Sequence, residues 1–404
     1  MAPPPAAVAA PPVDSQGPPT KVQRVAGMNS AASKKQMDND VWAKEGQIFE
    51  YTSAANPDMT VIPVLALLAE EHEQGETRVI PFDNSTALET TYPCTSPNLM
   101  ASFIRVCTGE SIATSAKATS QAFYVVRGSG ESTSEFGNVS WSEGDLFVVP
   151  ATDKEVKHTC KGGEHGGAAL YWVHDQPLLT YLGVRPDERR FAPTLFTRQR
   201  MLKEVEIIKA QPGSQHKNRL GILLGNVNTE QTKTLTHTLW SLLNMLPAHK
   251  VQRPHRHNSV ALDMAVYAAK GVYTLMGREL DNDGNIKNPI RVDWGTGGVF
   301  VTPPGWWHSH HNESEEPAWV LPMQDAGLYT YQRTLDIRFE PEEIERIKEG
   351  SIRGSTFEEP EHLKKYDKVE LYRSDSDECL MKKSESLSNM KRSGSLTALA
   401  PRED

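Results

Sequence analysis

Five histidines stand in two short segments of the chain and could bind a metal ion. His255 and His257 lie in QRPHRHNSVALDM, and His308, His310 and His311 lie in TPPGWWHSHHN, about fifty residues later. Side chains two positions apart on a β-strand share a face, so His255 and His257 can reach the same point. Two imidazoles alone hold a metal weakly, and His308 could supply a third nitrogen. The alternative for each histidine is an ordinary surface or core residue.

The same alternation separates the three histidines of the second segment. His308 and His310 share one face of the expected strand, whereas His311 points to the other face. We therefore consider His310 a catalytic residue that could donate a hydrogen bond to a bound substrate. The alternative is a hydrogen bond that only orients a neighbouring ligand.

Three further residues near the histidines could bind a substrate. Arg253 precedes the first pair and offers positive charge to an anion, which makes it a candidate for both binding and catalysis. Trp306 precedes His308 and could stack on an aromatic ring, although core packing also explains a tryptophan there. Gln324 ends the strand that follows His308 and could bind the substrate through its amide.

The elements that must position these residues are expected to be β-strands. Residues 99–184 and 236–338 form two blocks of short β-branched and aromatic runs, separated by Gly, Asn and Ser turns. Features follow in the same order in both blocks, including a strand that enters a proline, at Pro150 and at Pro303. An internal duplication of about 150 residues predicts two copies of one small β-barrel.

Composition limits the partners and the location of the protein. The 404 residues carry a net charge of −9 without a long basic block, which argues against nucleic-acid binding. No apolar run approaches the length of a membrane span, and the N-terminus does not resemble a secretory signal. The four cysteines show no CxxC spacing. We therefore expect reduced thiols in a cytoplasmic protein that binds neither nucleic acid nor membrane.

We predict five segments along the chain. Residues 1–38 are rich in Pro, Ala, Ser and Gly, and 341–404 are polar and Ser-rich beyond a short helix, so both are expected to be disordered tails. The N-terminal barrel with its lead-in helices takes 39–190. A connecting helix and loop take 191–235, and the C-terminal barrel takes 236–340.

The residues around His308 resemble the second conserved motif of the cupin superfamily. Gly297, Pro303, Gly305, His308 and Asn312 match that motif at every defined position. The HRH string resembles the first cupin motif, because a strand precedes it and a hairpin with a glycine turn follows it.

Within that superfamily, the chain resembles the gentisate 1,2-dioxygenase and salicylate dioxygenase group over roughly residues 90–340. The glutamate that usually follows the first histidine pair is missing, with Leu262 and Asp263 near its place. That loss and the string from PHRHNS to WVLPMQD resemble the group. An aspartate near the site in the group is matched by Asp325, a candidate catalytic residue that could orient a ligand histidine or cap a turn.

The resemblance implies a bicupin, an all-β chain of two tandem cupin barrels with short flanking helices. Each barrel would be a double-stranded β-helix, or jelly roll. It implies His255, His257 and His308 as the ligands of Fe(II), with Mn, Ni and Zn left open. The expected activity is ring cleavage of a hydroxylated aromatic carboxylate by O2, in a homo-oligomer. The alternatives are a metal-dependent lyase or decarboxylase and a non-catalytic bicupin that binds or regulates.

One departure from the group concerns the barrel that holds the metal. In that group the site generally lies in the N-terminal barrel. Here the aligned motif places Ser115 and Lys117 where the histidine pair should be, and Glu155 near the third ligand. A lysine ammonium has no lone pair to donate. We therefore expect a metal-free N-terminal barrel and a metal site in the C-terminal barrel.

Overall fold

The residues that the computed structural model describes are 42–55, 57–212, 214 and 218–340, with the backbone of 371–375 and 378–382. The chain divides into two compact units, Met1–Met59 and Thr60–Asp404. In the first unit, the described residues include a 3-10 helix at Tyr51–Ala55 with no buried side chain. The second unit contains both predicted barrels.

Strands dominate the second unit. In the first half of the chain they are β1 (Ala66–Leu67), β2 (Arg78–Pro81), β3 (Met100–Cys107), β4 (Ser111–Thr114), β5 (Ser120–Arg127), β6 (Ser129–Ser134), β7 (Gly137–Ser142), β8 (Leu146–Pro150), β9 (Val156–Gly162), β10 (Gly167–His174) and β11 (Thr194–Phe196).

The second half adds a matching series of strands. They are β12 (Leu220–Leu224), β13 (Trp240–Leu246), β14 (Lys250–His257), β15 (Ala261–Tyr267), β16 (Val272–Gly277), β17 (Ile290–Asp293), β18 (Val299–Thr302), β19 (Trp307–Asn312), β20 (Ala318–Gln324), β21 (Ile337–Phe339), β22 (Leu371–Asp375) and β23 (Glu378–Lys382).

The helices are short and flank the strands. They are α1 (Glu70–Glu73), α2 (Ser85–Leu88), α3 (Gln176–Leu182), α4 (Arg198–Lys209) and α5 (Ala326–Gln332), with 3-10 helices at Glu164–Gly166 and Val227–Thr229. The longest of the described helices, α4, begins at Arg198, and the side chain of the preceding Thr197 accepts a hydrogen bond from the backbone N–H of Arg200 at 3.3 Å. Among the described residues, no helix is long and apolar enough to cross a membrane.

The strand order confirms the predicted duplication. One six-stranded sheet runs β11-β8-β5-β10-β3-β2 and the other runs β1-β18-β15-β20-β13-β12, so each position in one sheet has a counterpart in the other. A four-stranded sheet, β4-β9-β6-β7, faces the first, and a five-stranded sheet, β17-β16-β19-β14-β21, faces the second. Gly144 and Gly297 stand at the same turn of each barrel with φ of +84° and +82°. An all-β fold of two tandem jelly-roll barrels is therefore confirmed.

Three edge strands lie outside the sequence limits that we predicted for the barrels they join. Strand β1, within the segment 39–190, pairs with β18 of the C-terminal barrel. In the segment 191–235, β11 pairs with β8 of the N-terminal barrel and β12 pairs with β13 of the C-terminal barrel. Each barrel therefore takes an edge strand from outside its expected limits, which covers an edge that would otherwise have unpaired backbone groups.

The predicted tails are described only in small part. Residues 1–38, the expected helix after residue 340 and most of the C-terminal segment lie outside the described residues. Within that segment, β22 and β23 form an antiparallel pair where unstructured chain was expected. The LYRSD and ECLMK runs each alternate apolar with polar residues in part, which favours pairing across a short turn.

The core between the barrels is made by the outer faces of the two six-stranded sheets. Strand alternation sends Tyr124 of β5 and Leu262 of β15 into this shared cluster. The neighbouring residue of β5, Phe123, points the other way into the lumen of its own barrel. In β15, the corresponding lumen residue is Asp263. Phe123 lies opposite Phe147 of β8, and Asp263 lies opposite Phe300 of the equivalent strand β18.

Aromatic rings fill the lumen of the N-terminal barrel. Phe123 stacks on Phe147 with ring centroids 4.9 Å apart and on Trp172 with centroids 5.9 Å apart. The counterpart of Trp172 in the C-terminal barrel is Pro322, opposite Asp263. The smaller residues leave room for a pocket in the C-terminal lumen, whereas large rings occupy the N-terminal one.

We expect Phe123→Ala to lower the free energy of unfolding by about 3–5 kcal/mol, because it opens a cavity in this ring stack. Chemical denaturation measures the loss. The control is Phe136→Ala, at a half-buried phenylalanine of the same barrel, which should cost clearly less. Equal losses in the two variants would contradict a tightly filled lumen.

Candidate metal centre

A bulge in strand β14 turns its histidines into the C-terminal lumen. Gln252 lies opposite His310 of β19 and His255 lies opposite His308, with a register shift between the two pairs. Gln252 and His255 therefore share a face although they are three residues apart. His257 follows on the same face, and all of these side chains line one pocket.

The residues between and beyond the histidines take the opposite face, as alternation predicts. Arg256 lies with its guanidinium carbon 4.9 Å from the ring centroid of Trp307. His311 stacks on Tyr273 with ring centroids 4.7 Å apart and an interplanar angle of 3°. Neither Arg256 nor His311 lines the pocket.

Four imidazole rings converge in the pocket. The ring centroid of His308 lies 4.0 Å from that of His255, 4.9 Å from that of His257 and 5.7 Å from that of His310. One nitrogen each from His255, His308 and His310 lies within 4.8 Å of the others. The set predicted from the sequence has His257 in place of His310. Both sets contain His255 and His308, and they differ in whether His257 or His310 is the third member. The hydrogen bonds of His257 and His310 differ as well.

His257 and His308 hold their rings in the orientation that metal ligands need. The Nδ1 of His257 lies 2.9 Å from the carbonyl oxygen of Ser259, and the Nδ1 of His308 lies 3.1 Å from that of Trp306. A carbonyl only accepts, so each Nδ1 carries the proton and each Nε2 keeps its lone pair. Ser259 also donates to the Oε1 of Gln324 at 2.8 Å, which links Gln324 to the position of His257.

His310 has the opposite arrangement. The indole N–H of Trp294 donates to Oγ1 of Thr274 at 2.8 Å, and that hydroxyl lies 2.8 Å from Nδ1 of His310. The arrangement that pairs the hydroxyl proton of Thr274 has that hydroxyl donating to Nδ1, which leaves the proton of His310 on Nε2. In this arrangement His310 presents an N–H at Nε2, whereas His257 presents a lone pair at Nε2.

His255 is engaged by an arginine. The Nη2 of Arg219 lies 3.0 Å from the Nδ1 of His255, and a guanidinium can only donate. A neutral imidazole has one nitrogen lone pair that can accept a bond. A metal bound to His255 would therefore have to replace the hydrogen bond from Arg219. Arg219 also lies over the ring of Phe339, with its guanidinium carbon 4.8 Å from the centroid.

Burial keeps the four histidines neutral. It lowers the pKa of His257 to about 4 and that of His310 to about 3, and it holds the pKa values of His255 and His308 well below the usual range. The neighbouring histidines lower the last two further. Neutral imidazoles are the form that binds metals, so no proton has to leave at neutral pH.

The pocket beside the histidines has a volume of about 280 Å³. Its walls combine the four histidines with Arg219, Asp263 and Gln324, and apolar side chains complete it, including Ile222, Leu223, Trp240 and Phe339. This volume lies near the lower end of small-ligand sites, so the pocket suits a compact ligand such as one aromatic ring.

The other residues singled out in the sequence occupy different surroundings. Gln324 lines the pocket, as expected. Arg253 lies outside its lining and pairs with the buried Glu340. Trp306 packs against the apolar cluster of the C-terminal lumen, with Arg278 over its ring, and it does not line the pocket. Trp240 does line it.

Asp325 makes its hydrogen bonds to residues other than the pocket histidines. Its carboxylate accepts from the backbone N–H of Val260 at 2.9 Å and from the amide of Asn98 at 2.6 Å. It therefore ties the segment that follows His257 to the end of β20. Burial raises the pKa of Asp325 to about 6.

Asp263 occupies the lumen near the place of the missing glutamate. It is buried, it lines the pocket, and its carboxylate accepts a hydrogen bond from the hydroxyl of Thr302. Burial raises the pKa of Asp263 to about 7. The sequence placed Asp263 near the missing glutamate, but it did not predict that the carboxyl is buried in the pocket.

The N-terminal barrel repeats the hydrogen-bond network of His310. The indole of Trp141 donates to Ser132 at 2.8 Å, and that hydroxyl lies 2.7 Å from Nδ1 of His158. The Nε2 of His158 lies 2.9 Å from the hydroxyl of Thr114, so both ring nitrogens have a partner. Thr114 lies opposite Val156, which is the pair corresponding to His255 and His308.

This register corrects the motif alignment. Ser115 and Lys117, predicted at the positions of the histidine pair, are exposed, and so is Glu155. The buried residues at those positions are Thr114 and Ala116. The alignment was wrong by one residue because the bulge in β14 adds a residue that β4 lacks. Threonine, alanine and valine are no better metal ligands than the residues first aligned there.

Comparisons with known proteins bear on the fold. No protein-family model matches the chain, and no curated protein matches its sequence. A solved structure of salicylate 1,2-dioxygenase from Pseudoaminobacter salicylatoxidans, an adduct with gentisate, is similar with a TM-score of 0.57 at 13% identity. The likeness covers 78% of this chain and 96% of that one.

Two other structures complete the comparison. A point mutant of the same dioxygenase in complex with gentisate has a TM-score of 0.55 and 15% identity over 79% of this chain and 99% of that one. A mutant of Bacillus subtilis oxalate decarboxylase has a TM-score of 0.43 at 14% identity over 65% of this chain and 77% of that one, too slight to carry an argument. At these identities the likeness shows the fold, and it agrees with the tandem cupin barrels.

Proposed function

We propose that the chain is an Fe(II)-dependent ring-cleaving dioxygenase that acts with O2 on a hydroxylated aromatic carboxylate. The observation that carries the proposal is the group of four neutral histidines around one small pocket that also contains Arg219. The gentisate bound by the salicylate 1,2-dioxygenase of the same fold is a compact aromatic acid, and it supports this substrate class.

The residues present fit a divalent metal. His255, His257 and His308 would hold it, because the last two already present Nε2 lone pairs and all three line one pocket. Three neutral ligands leave the charge of the metal uncancelled, which favours an anionic chelating substrate. Fe(II) bound there would supply a Lewis acid for the hydroxyl and carboxylate of the substrate and a redox centre for O2.

Arg219 would bind the substrate carboxylate. Its guanidinium contacts the Nδ1 of His255, and this contact competes with a metal for the only lone pair of that ring. With a metal held by His255, this N–H donor of Arg219 would be available to a ligand in the pocket. Arginine pairs well with carboxylates through parallel hydrogen bonds. Arg219 takes this role in place of Arg253, because Arg219 lines the pocket and Arg253 does not.

His310 would donate a hydrogen bond from Nε2 to an oxygen of the bound substrate. Thr274 and Trp294 fix the ring and keep the proton on the side that faces the pocket. Trp240 and Phe339 provide apolar walls that exclude water beside the ring of the substrate. Asp325 supports the site indirectly by holding the backbone of Val260.

The test is oxygen consumption by Fe(II)-loaded protein with gentisate, salicylate and hydroxynaphthoate. We expect uptake that needs both iron and one of these acids, with absorbance from a ring-cleaved product. Arg219→Met should raise KM roughly ten- to a hundred-fold, since a hydrogen bond to a charged group contributes about 1.5–3 kcal/mol. The same variant should bind Fe(II) at least as tightly as the wild type.

Arg278→Met is the matched control, because Arg278 lies over Trp306 outside the pocket. It should leave KM unchanged. Absence of oxygen uptake and of any spectral change with all three acids would overturn the proposal. A metal-dependent lyase or decarboxylase, or a binding protein, would then be the better description.

A further inference from the structure

A second cavity lies between the two barrels, away from the histidine pocket. Its volume is about 480 Å³, within the range of small-molecule sites. Strand β5, helix α4 and the β15–β20 side of the C-terminal barrel all contribute to its walls. It shares no lining residue with the histidine pocket.

A buried arginine lines this cavity without an ionic partner. Arg127 is only 7% exposed, and none of the ion pairs formed by the described residues includes it. Its Nη1 donates to the Nδ1 of His72, and its Nη2 donates to the carbonyl oxygen of the same residue. Its Nε has no hydrogen-bond partner among the described residues. A buried charge without a counter-charge in contact is costly, so an anion bound directly to it would stabilise it.

The groups in direct contact with Arg127 carry no negative charge, and the carboxylates of Glu73 and Glu164 act on its guanidinium only from beyond ion-pair distance. The Nε2 of His72 lies 3.0 Å from the carbonyl oxygen of Gly297, so this nitrogen carries the proton and Nδ1 accepts from Arg127. Burial lowers the pKa of His72 to about 4, and the ring is neutral. A second buried guanidinium, that of Arg105, lies nearby and donates only to backbone carbonyls, of His72, Glu73, Gly75 and His165.

The rest of the lining selects among anions. Glutamates at the cavity, Glu73, Glu143, Glu164 and Glu316, would repel a doubly charged phosphate more strongly than a single carboxylate. Apolar side chains cover another part of the wall, including Met201, Leu202, Leu243 and Trp319. We propose that this cavity is a binding site for a small monocarboxylic acid with an apolar body, held by the guanidinium of Arg127.

Benzoate is a suitable probe because it has one carboxylate, an apolar ring and no hydroxyl for chelation. Calorimetric titration of the chelator-treated full-length chain should show one site. The variant His308→Ala, which alters the histidine pocket, should bind benzoate as the wild type does. Inorganic phosphate at the same concentration should neither bind nor compete.

Two variants test the site itself. Arg127→Gln should weaken benzoate binding at least tenfold. Leu202→Trp, at a half-buried position of α4, should block the cavity and abolish binding, and it decides the matter if Arg127→Gln does not fold. Arg190→Gln, at an exposed arginine paired with Glu188, is the control and should bind normally.

Three outcomes would overturn the proposal. The first is a wild-type protein that does not bind benzoate, which the titration reports directly. Loss of binding in His308→Ala would assign the benzoate to the histidine pocket instead. Unchanged affinity in Leu202→Trp, or in a folded Arg127→Gln, would remove the cavity or the guanidinium from the binding site.

Discussion

Replacing His308 by alanine is expected to remove the metal from the protein and to abolish oxygen uptake. His308 lies closest to the other rings, with its centroid 4.0 Å from that of His255 and 4.9 Å from that of His257. It belongs to both candidate ligand sets. Loss of a direct ligand should reduce metal affinity by more than about a hundredfold, because residues one contact away already change it by about 10–100-fold.

A pair of variants identifies the third ligand. His257→Ala should strip the metal as His308→Ala does, because Nε2 of His257 has its lone pair available. His310→Gln should retain the metal and slow turnover, because the proton of His310 faces the pocket. Elemental analysis of anaerobically purified protein measures the metal content. The reverse outcome, with metal kept in His257→Ala and lost in His310→Gln, would assign the site to His255, His308 and His310.

His311→Ala is the matched control for this series. His311 belongs to the same strand, but its ring stacks on Tyr273 outside the pocket. Metal content and oxygen uptake should both stay at the level of the wild type. A loss in this variant would mean that strand β19 as a whole, and not a particular nitrogen, determines metal binding.

The tandem barrels could be predicted from the sequence because their signals are local. Glycine turns, β-branched runs and prolines recur in the same order in both blocks, and strand alternation alone separates His310 from His311. The bulge in β14 could not be predicted from such local signals. It places Gln252 and His255 on one face, and a constant period of two cannot account for that. The shifted alignment of Ser115 and Lys117 follows from it.

The substrate-binding groups were harder to predict because long-range pairing brings them to the site. Arg219 immediately precedes β12, and the pairing of β12 with β13 carries it to the pocket. Arg253 is close to the histidines in sequence, but it pairs with Glu340, which directly follows the neighbouring strand β21. A charged residue that is close to a candidate metal-binding histidine in the sequence is therefore weak evidence that its charge lies near that histidine in the folded protein.

The surroundings of Asp263 predict an unusual dependence of stability on pH. The carboxyl is buried, it accepts a hydrogen bond from Thr302, and burial raises its pKa to about 7. In the unfolded chain the pKa of an aspartate is about 3.9. The folded protein therefore holds this proton over a range of pH in which the unfolded chain has released it.

The sign follows from this difference. Between about pH 4 and pH 7 the folded state binds more protons at Asp263 than the unfolded state, so its contribution to stability falls as the pH rises. Complete loss amounts to about 4 kcal/mol as an upper limit, since each unit of pKa difference corresponds to about 1.4 kcal/mol. The buried histidines act in the opposite direction, because their lowered pKa values make the protein less stable as the pH falls below about 6.5.

Asp263→Asn should therefore stabilise the chelator-treated protein at pH 8 by up to about 4 kcal/mol and change its stability little at pH 4. The amide oxygen can still accept the hydrogen bond from Thr302, and the side chain no longer ionises. Chemical denaturation of wild type and variant at each pH gives the difference in unfolding free energy, in which the contributions of the histidines cancel. The metal is removed because a nearby cation would favour the charged carboxylate. A difference that stays constant from pH 4 to pH 8 would mean that Asp263 is already ionised in the folded protein, and the pocket would then present a negative charge to its ligand.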